Sequence, residues 1–160
     1  MKSSVSGLLV AALFAFGTVS TASAADAPDP VIGTWVLNVS KSKFMPGPAP
    51  KSQTRTYAAT AEGVEMTVNG VSADGKTTAS HSTYAYGDKD FPITGSADYD
   101  TLQVKRVDAN TASSIQKKAG KVVGHATRTV SKDGKMLTLA SKGTDAKGAA
   151  YDNLAVFDRK

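Results

Sequence analysis

Six glycines divide the chain at nearly regular intervals: Gly63, Gly75 and Gly87 stand 12 residues apart, and Gly120, Gly134 and Gly148 stand 14 apart. Between them lie short runs of Val, Thr, Tyr, Ser and Ala. A helix would need a sustained 3.6-residue apolar period, and no segment supplies one. Short β-branched runs closed by turn residues are instead what antiparallel hairpins require. The pattern predicts about ten strands, at 32–39, 52–60, 64–71, 77–86, 91–95, 101–107, 111–118, 122–130, 136–141 and 149–158. Asp74-Gly75, Gly87-Asp88, Asp108-Ala109-Asn110 and Asp133-Gly134 supply residues that accept positive φ, as tight links between twisted strands demand.

With short links throughout, each strand is expected to pair with its sequence neighbour. A long meander has two exposed edges, and closure removes them. The predicted fold class is therefore all-β, an antiparallel meander barrel of about 8–10 strands. Two segments interrupt the pattern. Pro46, Pro48 and Pro50 place a proline at every second position, which excludes a central strand and favours extended coil. Pro92 weakens the strand predicted at 91–95.

The N-terminus reads differently. Lys2 precedes the apolar run Gly7 to Gly17, and Ala22-Ser23-Ala24 is a small-residue cleavage site. The run is shorter than the roughly 20 apolar residues that a membrane-spanning helix needs, and no later segment reaches that length. Residues 1–24 are expected to be a signal peptide and 25–160 a single β-barrel domain, periplasmic or secreted, with no transmembrane segment after cleavage.

The chain has no cysteine, so no disulfide holds it and thiolate chemistry is excluded. The formal net charge of +5 falls to +4 once Lys2 leaves with the signal. Many lysines sit beside turn glycines rather than clustering with aromatics, so no nucleic-acid partner is expected. Leu, Ile, Val and Phe total only 23 in residues 25–160, a thin apolar supply. The interior is therefore expected to be lined partly by Thr, Ser and Ala.

Alternation assigns faces. Trp35, Leu37 and Val39 share one, and Val64, Met66 and Val68 another; all are expected core residues. Ser80, Ser82, Tyr84 and Tyr86 oppose Ala79, His81, Thr83 and Ala85, so whichever side faces inward carries polar groups. Two arginines fall in line with apolar residues: Arg106 with Leu102 and Val104, and Arg128 with Val122, Gly124, Ala126 and Val130. An inward arginine is costly unless paired, which makes it an anchor for a ligand carboxylate or phosphate. The alternative, a strand-end arginine that reaches solvent or a surface acid, is favoured for Arg106 and equally weighted for Arg128.

Several stretches resemble a known group. Gly33-Thr34-Trp35-Val36-Leu37, followed by Ser40 and Phe44, resembles the G-T-W-x-L opening of the intracellular fatty-acid-binding proteins and, more loosely, the G-x-W motif of lipocalins. Thr127-Arg128 followed by Asp133-Gly134-Lys135 resembles the late hairpin of the former group, and Ala155-Val156-Phe157 its terminal R-x-Y strand. The resemblance implies a calycin-like barrel holding a lipid-like acid, its carboxylate bound by arginine and tyrosine. Ala155 stands where the terminal arginine would be and Phe157 where the tyrosine would be, so Arg128 is the one matched member of that clamp. The proline-rich segment 45–50 replaces the two portal helices. The chain also resembles small exported bacterial proteins that open G-T-W-x-L-N and carry a P-G-P-A-P segment, a likeness that supplies no activity.

Motifs for catalysis are missing from the sequence: there is no G-x-S-x-G, H-E-x-x-H or Gly-rich phosphate loop, and the two histidines, His81 and His125, lie on different strands. No enzyme activity, metal or cofactor is expected. The leading expectation is a binding barrel for a small hydrophobic or amphipathic anion, with Arg128, Arg106, Tyr84, Tyr86 and Phe157 as its ligand-binding residues. The alternative is a structural or protein-interaction domain of the cell envelope. Processing is directly testable: the exported protein is expected to begin at Ala25, and an intact mass matching a different start would refute the cleavage site.

Overall fold

The computed structural model describes residues 28–160, so the signal-peptide segment lies outside the described residues. Eleven strands are present there: β1 (Gly33–Leu37), β2 (Lys43–Met45), β3 (Ser52–Thr60), β4 (Gly63–Val71), β5 (Thr77–Tyr84), β6 (Phe91–Pro92), β7 (Thr101–Arg106), β8 (Thr111–Lys118), β9 (Lys121–Val130), β10 (Met136–Thr144) and β11 (Ala150–Arg159). A 3-10 turn, Val39–Lys41, follows β1. The turn glycines behave as their spacing predicts. Gly120, for example, has φ +78 and follows Ala119 at φ +49, the paired left-handed conformation of a two-residue hairpin turn.

The strands form one antiparallel sheet in the order β5-β4-β3-β1-β11-β10-β9-β8-β7-β6, with short β2 paired outside this path to β11. Pairing of β1 with β11, Trp35 opposite Arg159, joins the two ends of the described chain. The two ends of the sheet meet at one bridge, where His81 and Thr94 exchange backbone hydrogen bonds of 3.1 and 2.9 Å. Ser82 Oγ also donates across this seam to the Pro92 carbonyl at 2.8 Å. The result is a nearly closed antiparallel meander barrel, the fold class that the turn spacing predicts.

One end is plugged. Trp35 is 0% exposed and its indole Nε1 donates to the Val31 carbonyl at 2.8 Å, which draws the segment before β1 across the barrel end. The Arg159 guanidinium lies 4.2 Å over the Trp35 ring and donates to the carbonyls of Pro30 and Ile32. Phe157, Leu137, Val130 and Val64 complete this apolar layer.

Several expectations are corrected by the structure. The first strand ends at Leu37, and Val39 enters the 3-10 turn at 43% exposure because Asn38 caps that turn, its side chain accepting from Lys41 N. Val122 does not share the inward face of Arg128. The β8–β9 register shifts so that Gln116 opposes Gly124 and Lys117 opposes Val122, leaving Val123 as the extra residue; such a bulge reverses alternation, and Val122 is 54% exposed. Neighbour pairing holds for the first two predicted strands, since β1 bonds β3 directly; the short β2, which the sequence does not announce, pairs instead with β11, the strand that β1 also joins.

The β5–β6 seam is the least bonded joint of the barrel, and Gly95 sits against it at φ +76. A Cβ there would overlap the Ala79 carbonyl oxygen on β5. Gly95→Ala is expected to destabilise the domain by about 1–3 kcal/mol, through backbone strain plus a weakened seam. Urea unfolding measures this, and an unchanged midpoint would show that the seam carries no stability.

Candidate functional site

The barrel interior changes character along its axis. Inward side chains on β10 run from Leu137 through Leu139 to Ser141, those on β8 from Ala112 to Ser114 and Gln116, and those on β11 from Phe157 through Ala155 to Asn153. Each series starts apolar at the Trp35 end and turns polar toward the opposite end. That opposite end is open. A mouth of about 700 Å³ lies between the beginnings of β3 and β5, the 95–99 loop and the β10–β11 turn. It falls within the range of small-molecule sites, roughly 300–1,000 Å³.

Behind the mouth lies an inner chamber of about 60 Å³. Arg55, Tyr99, Gln116 and Leu139 line both spaces and therefore form the neck between them. The chamber ends at Tyr57, Tyr84 and Arg128. Its volume suits a few water molecules or a carboxylate group, and it is too small for an extended acyl chain.

Arg128 projects inward from β9, which buries every second residue from Gly124 to Val130. It is 9% exposed, and its Nη1 and Nη2 donate to the hydroxyls of Tyr84 and Tyr86, each at 2.7 Å. Tyr86 passes the connection on, its hydroxyl donating to Asp29 Oδ2 at 2.5 Å. Asp29 also pairs with Arg106 at 2.6 Å and accepts from the Val31 backbone N–H. Burial works against the Arg128 charge, but the phenol oxygens of Tyr84, Tyr57 and Tyr86 offset it and raise its pKa. Burial likewise raises the Tyr84 and Tyr86 hydroxyls, so both stay protonated donors.

Arg55 projects inward from β3, where Gln53, Arg55 and Tyr57 alternate with outward residues. Its Nε donates to Gln53 Oε1 at 3.0 Å, which aims the guanidinium, and the fully buried Phe157 ring lies 5.4 Å beneath it. Tyr57 stands between the two arginines, 3.5 Å from Arg55 Nη1 and with its ring 5.1 Å from the Arg128 guanidinium. Burial would raise the Tyr57 hydroxyl, yet the fields of Arg55 and Arg128 outweigh it and lower its pKa. Among the described residues no ion pair includes Arg55 or Arg128. The chamber is thus a positively charged space that lacks a fixed carboxylate. Those residues also contain no cluster of three or more His, Asp or Glu suited to a metal.

Of the sequence-named residues, Arg128 and Tyr84 line the chamber. Tyr86 supports Arg128 from outside the lining. Arg106 lies near the closed end, held by Asp29 and stacked 4.1 Å over the Tyr86 ring. Phe157 belongs to the plugged layer, beneath Arg55. Sequence reasoning missed Arg55, Tyr57, Tyr99 and Gln116. Alternation along 52–60 offers Gln53, Arg55 and Tyr57 as one face, but the opposite face of Thr54, Thr56 and Ala58 gives little contrast in polarity.

A scan against protein-family models finds no match, and neither does a search of the curated proteins. Among solved structures, the chain is similar to a redesigned β barrel, mFAP1, bound to DFHBI (14% identity, covering 81% of this chain and 95% of that one, TM-score 0.42). It is also similar to the zebrafish ileal bile acid-binding protein complexed with cholic acid (9% identity, 82% of this chain and 99% of that one, TM-score 0.47). A third similarity is to the siderocalin Ex-FABP (10% identity, 82% of this chain and 71% of that one, TM-score 0.32).

The Asp29 connection yields a pH dependence. Burial would raise the Asp29 carboxyl, but hydrogen bonds from Tyr86, Val31 and Arg106 prevail and hold it below the ordinary aspartate value of 3.8. A depressed carboxylate contributes stability that is complete above its unfolded value and is lost as pH falls through the folded one. Asp29→Asn is expected to cost about 1–3 kcal/mol at neutral pH and to reduce the loss of stability below roughly pH 4. Chemical denaturation of both proteins across pH 2–7 tests this, and parallel profiles would refute it.

Proposed function

We propose that the protein is an exported, non-enzymatic binding barrel that takes a small amphipathic anion, acid group first, into the neck and inner chamber. The carrying observation is the pair of inward arginines, Arg55 and Arg128, lining a chamber whose walls carry no carboxylate. A ligand carboxylate there would gain charge-assisted hydrogen bonds in a space largely closed to water. The mouth then accommodates the rest of the molecule. Export rests on the signal-like residues 1–24, and a periplasmic or secreted location follows from that reading.

The small inner volume favours a second reading, a packed envelope domain without a ligand. Calorimetry on residues 25–160 separates the two, using a panel of acyl, aromatic and sugar carboxylates with their uncharged amides. At least one acid is expected to bind and its amide to lose affinity. Arg55→Met and Arg128→Met are each expected to weaken that acid by about 1.5–3 kcal/mol, the scale of a hydrogen bond to a charged group. Absence of binding across the panel would leave the structural reading.

A further inference from the structure

Resting on the anion-binding reading above, we infer that the preferred ligand is a hydroxylated ring acid rather than a fatty acid. The neck decides where the body of a ligand can sit. With only about 60 Å³ behind Arg55, Tyr99, Gln116 and Leu139, the chamber admits the acid group alone, so the remainder lies in the mouth. That space is unlike an acyl-chain tunnel. Its walls carry the side chains of Gln53, Thr78, Ser80, Ser141, Tyr151 and Asn153 side by side with the apolar surfaces of Phe44, Val68, Leu139 and Ala155. An acyl chain filling it would strip water from these groups without returning hydrogen bonds, whereas ligand hydroxyls return them.

The neck also favours a ring. Tyr151 donates to Gln116 Oε1 at 3.0 Å, fixing the amide that borders the opening. Burial raises the hydroxyls of both Tyr99 and Tyr151, which keeps them as neutral donors beside two aromatic surfaces. Phe44, which β2 sets against Asn153 of β11, adds a third. Aromatic walls with hydroxyl tips match a flat or chair-shaped ring with polar edges. At the rim, Asp98 and Asp145 each accept backbone hydrogen bonds through Oδ1, from Ala146 and from Lys147 and Ala149. Their Oδ2 atoms can accept from ligand hydroxyls, while a second acid at that end would be repelled. The orientation is therefore acid inward and hydroxyls outward.

The test compares three probes by calorimetry at neutral pH: 3,4-dihydroxybenzoate, glucuronate and dodecanoate. The two ring acids separate an aromatic source of this chemistry from a carbohydrate one. At least one is expected to bind tenfold or more tightly than dodecanoate. The double variant Ser80→Val, Ser141→Val, which exchanges two hydroxyls of the mouth for methyl groups, is expected to weaken that ring acid at least fivefold and to strengthen dodecanoate. Such a reversal cannot arise from a general loss of folding, and Tm measured on the same samples controls for it. Dodecanoate binding as tightly as both ring acids, or a double variant that shifts all probes alike, would overturn the inference while leaving the anion site standing. No binding by any of the three, together with none across the wider carboxylate panel, would remove the anion site and this inference with it.

Discussion

A guanidinium almost withdrawn from water has to be hydrogen-bonded from several directions, because an unsatisfied buried charge costs more than a small domain can spare. Arg128 meets that demand by ordering its surroundings. Tyr84 and Tyr86 accept from its two terminal nitrogens, and Tyr86 in turn leans on Asp29. Asp29 belongs to the segment before β1, whose Val31 carbonyl accepts from the Trp35 indole and whose neighbouring carbonyls hold Arg159. The buried charge is thereby linked to the plug that closes one end of the barrel. Because its partners are neutral phenols rather than a carboxylate, the charge stays electrostatically available on the chamber side.

Asymmetry along the barrel axis follows from the composition. With so few large aliphatic residues, the chain cannot fill a ten-strand interior with apolar side chains from end to end. The structure packs Val31, Trp35, Val130, Leu137 and Phe157 at one end, each almost fully buried. Ser, Gln, Asn and Tyr are left to line the other end, and polar groups there remain tolerable only while water or a ligand satisfies them. A closed half that stabilises and an open half that can bind thus arise from one shortage.

Strand number and fold class were legible because they depend on local chemistry. Turn glycines need positive φ whatever surrounds them, and β-branched runs between them have no helical period to follow. Arg128 was legible for a related reason: from Gly124 to Val130 the strand alternates without interruption, so its side can be read from its neighbours. Val122 was not, since the bulge at Val123 depends on how β8 and β9 register against each other. Val39 was misplaced because a capped 3-10 turn ends β1 early, a competition decided by Asn38 rather than by β propensity.

The site itself needed the tertiary structure. Arg55 comes from a strand whose two faces barely differ in polarity, so its inward direction is set by the core contacts of Tyr57 and by the pairing of β3 with β1 and β4. The Asp29–Arg106 pair joins residues 77 positions apart, and the seam at His81 and Thr94 exists because a twisted ten-strand meander brings its ends together. The sequence by itself determined an antiparallel β-meander and put Arg128 in line with apolar neighbours. Tertiary packing alone decided how the interior divides into chamber and mouth, and which arginine stands at the neck, because volume and charge balance inside a barrel are sums over strands remote in sequence.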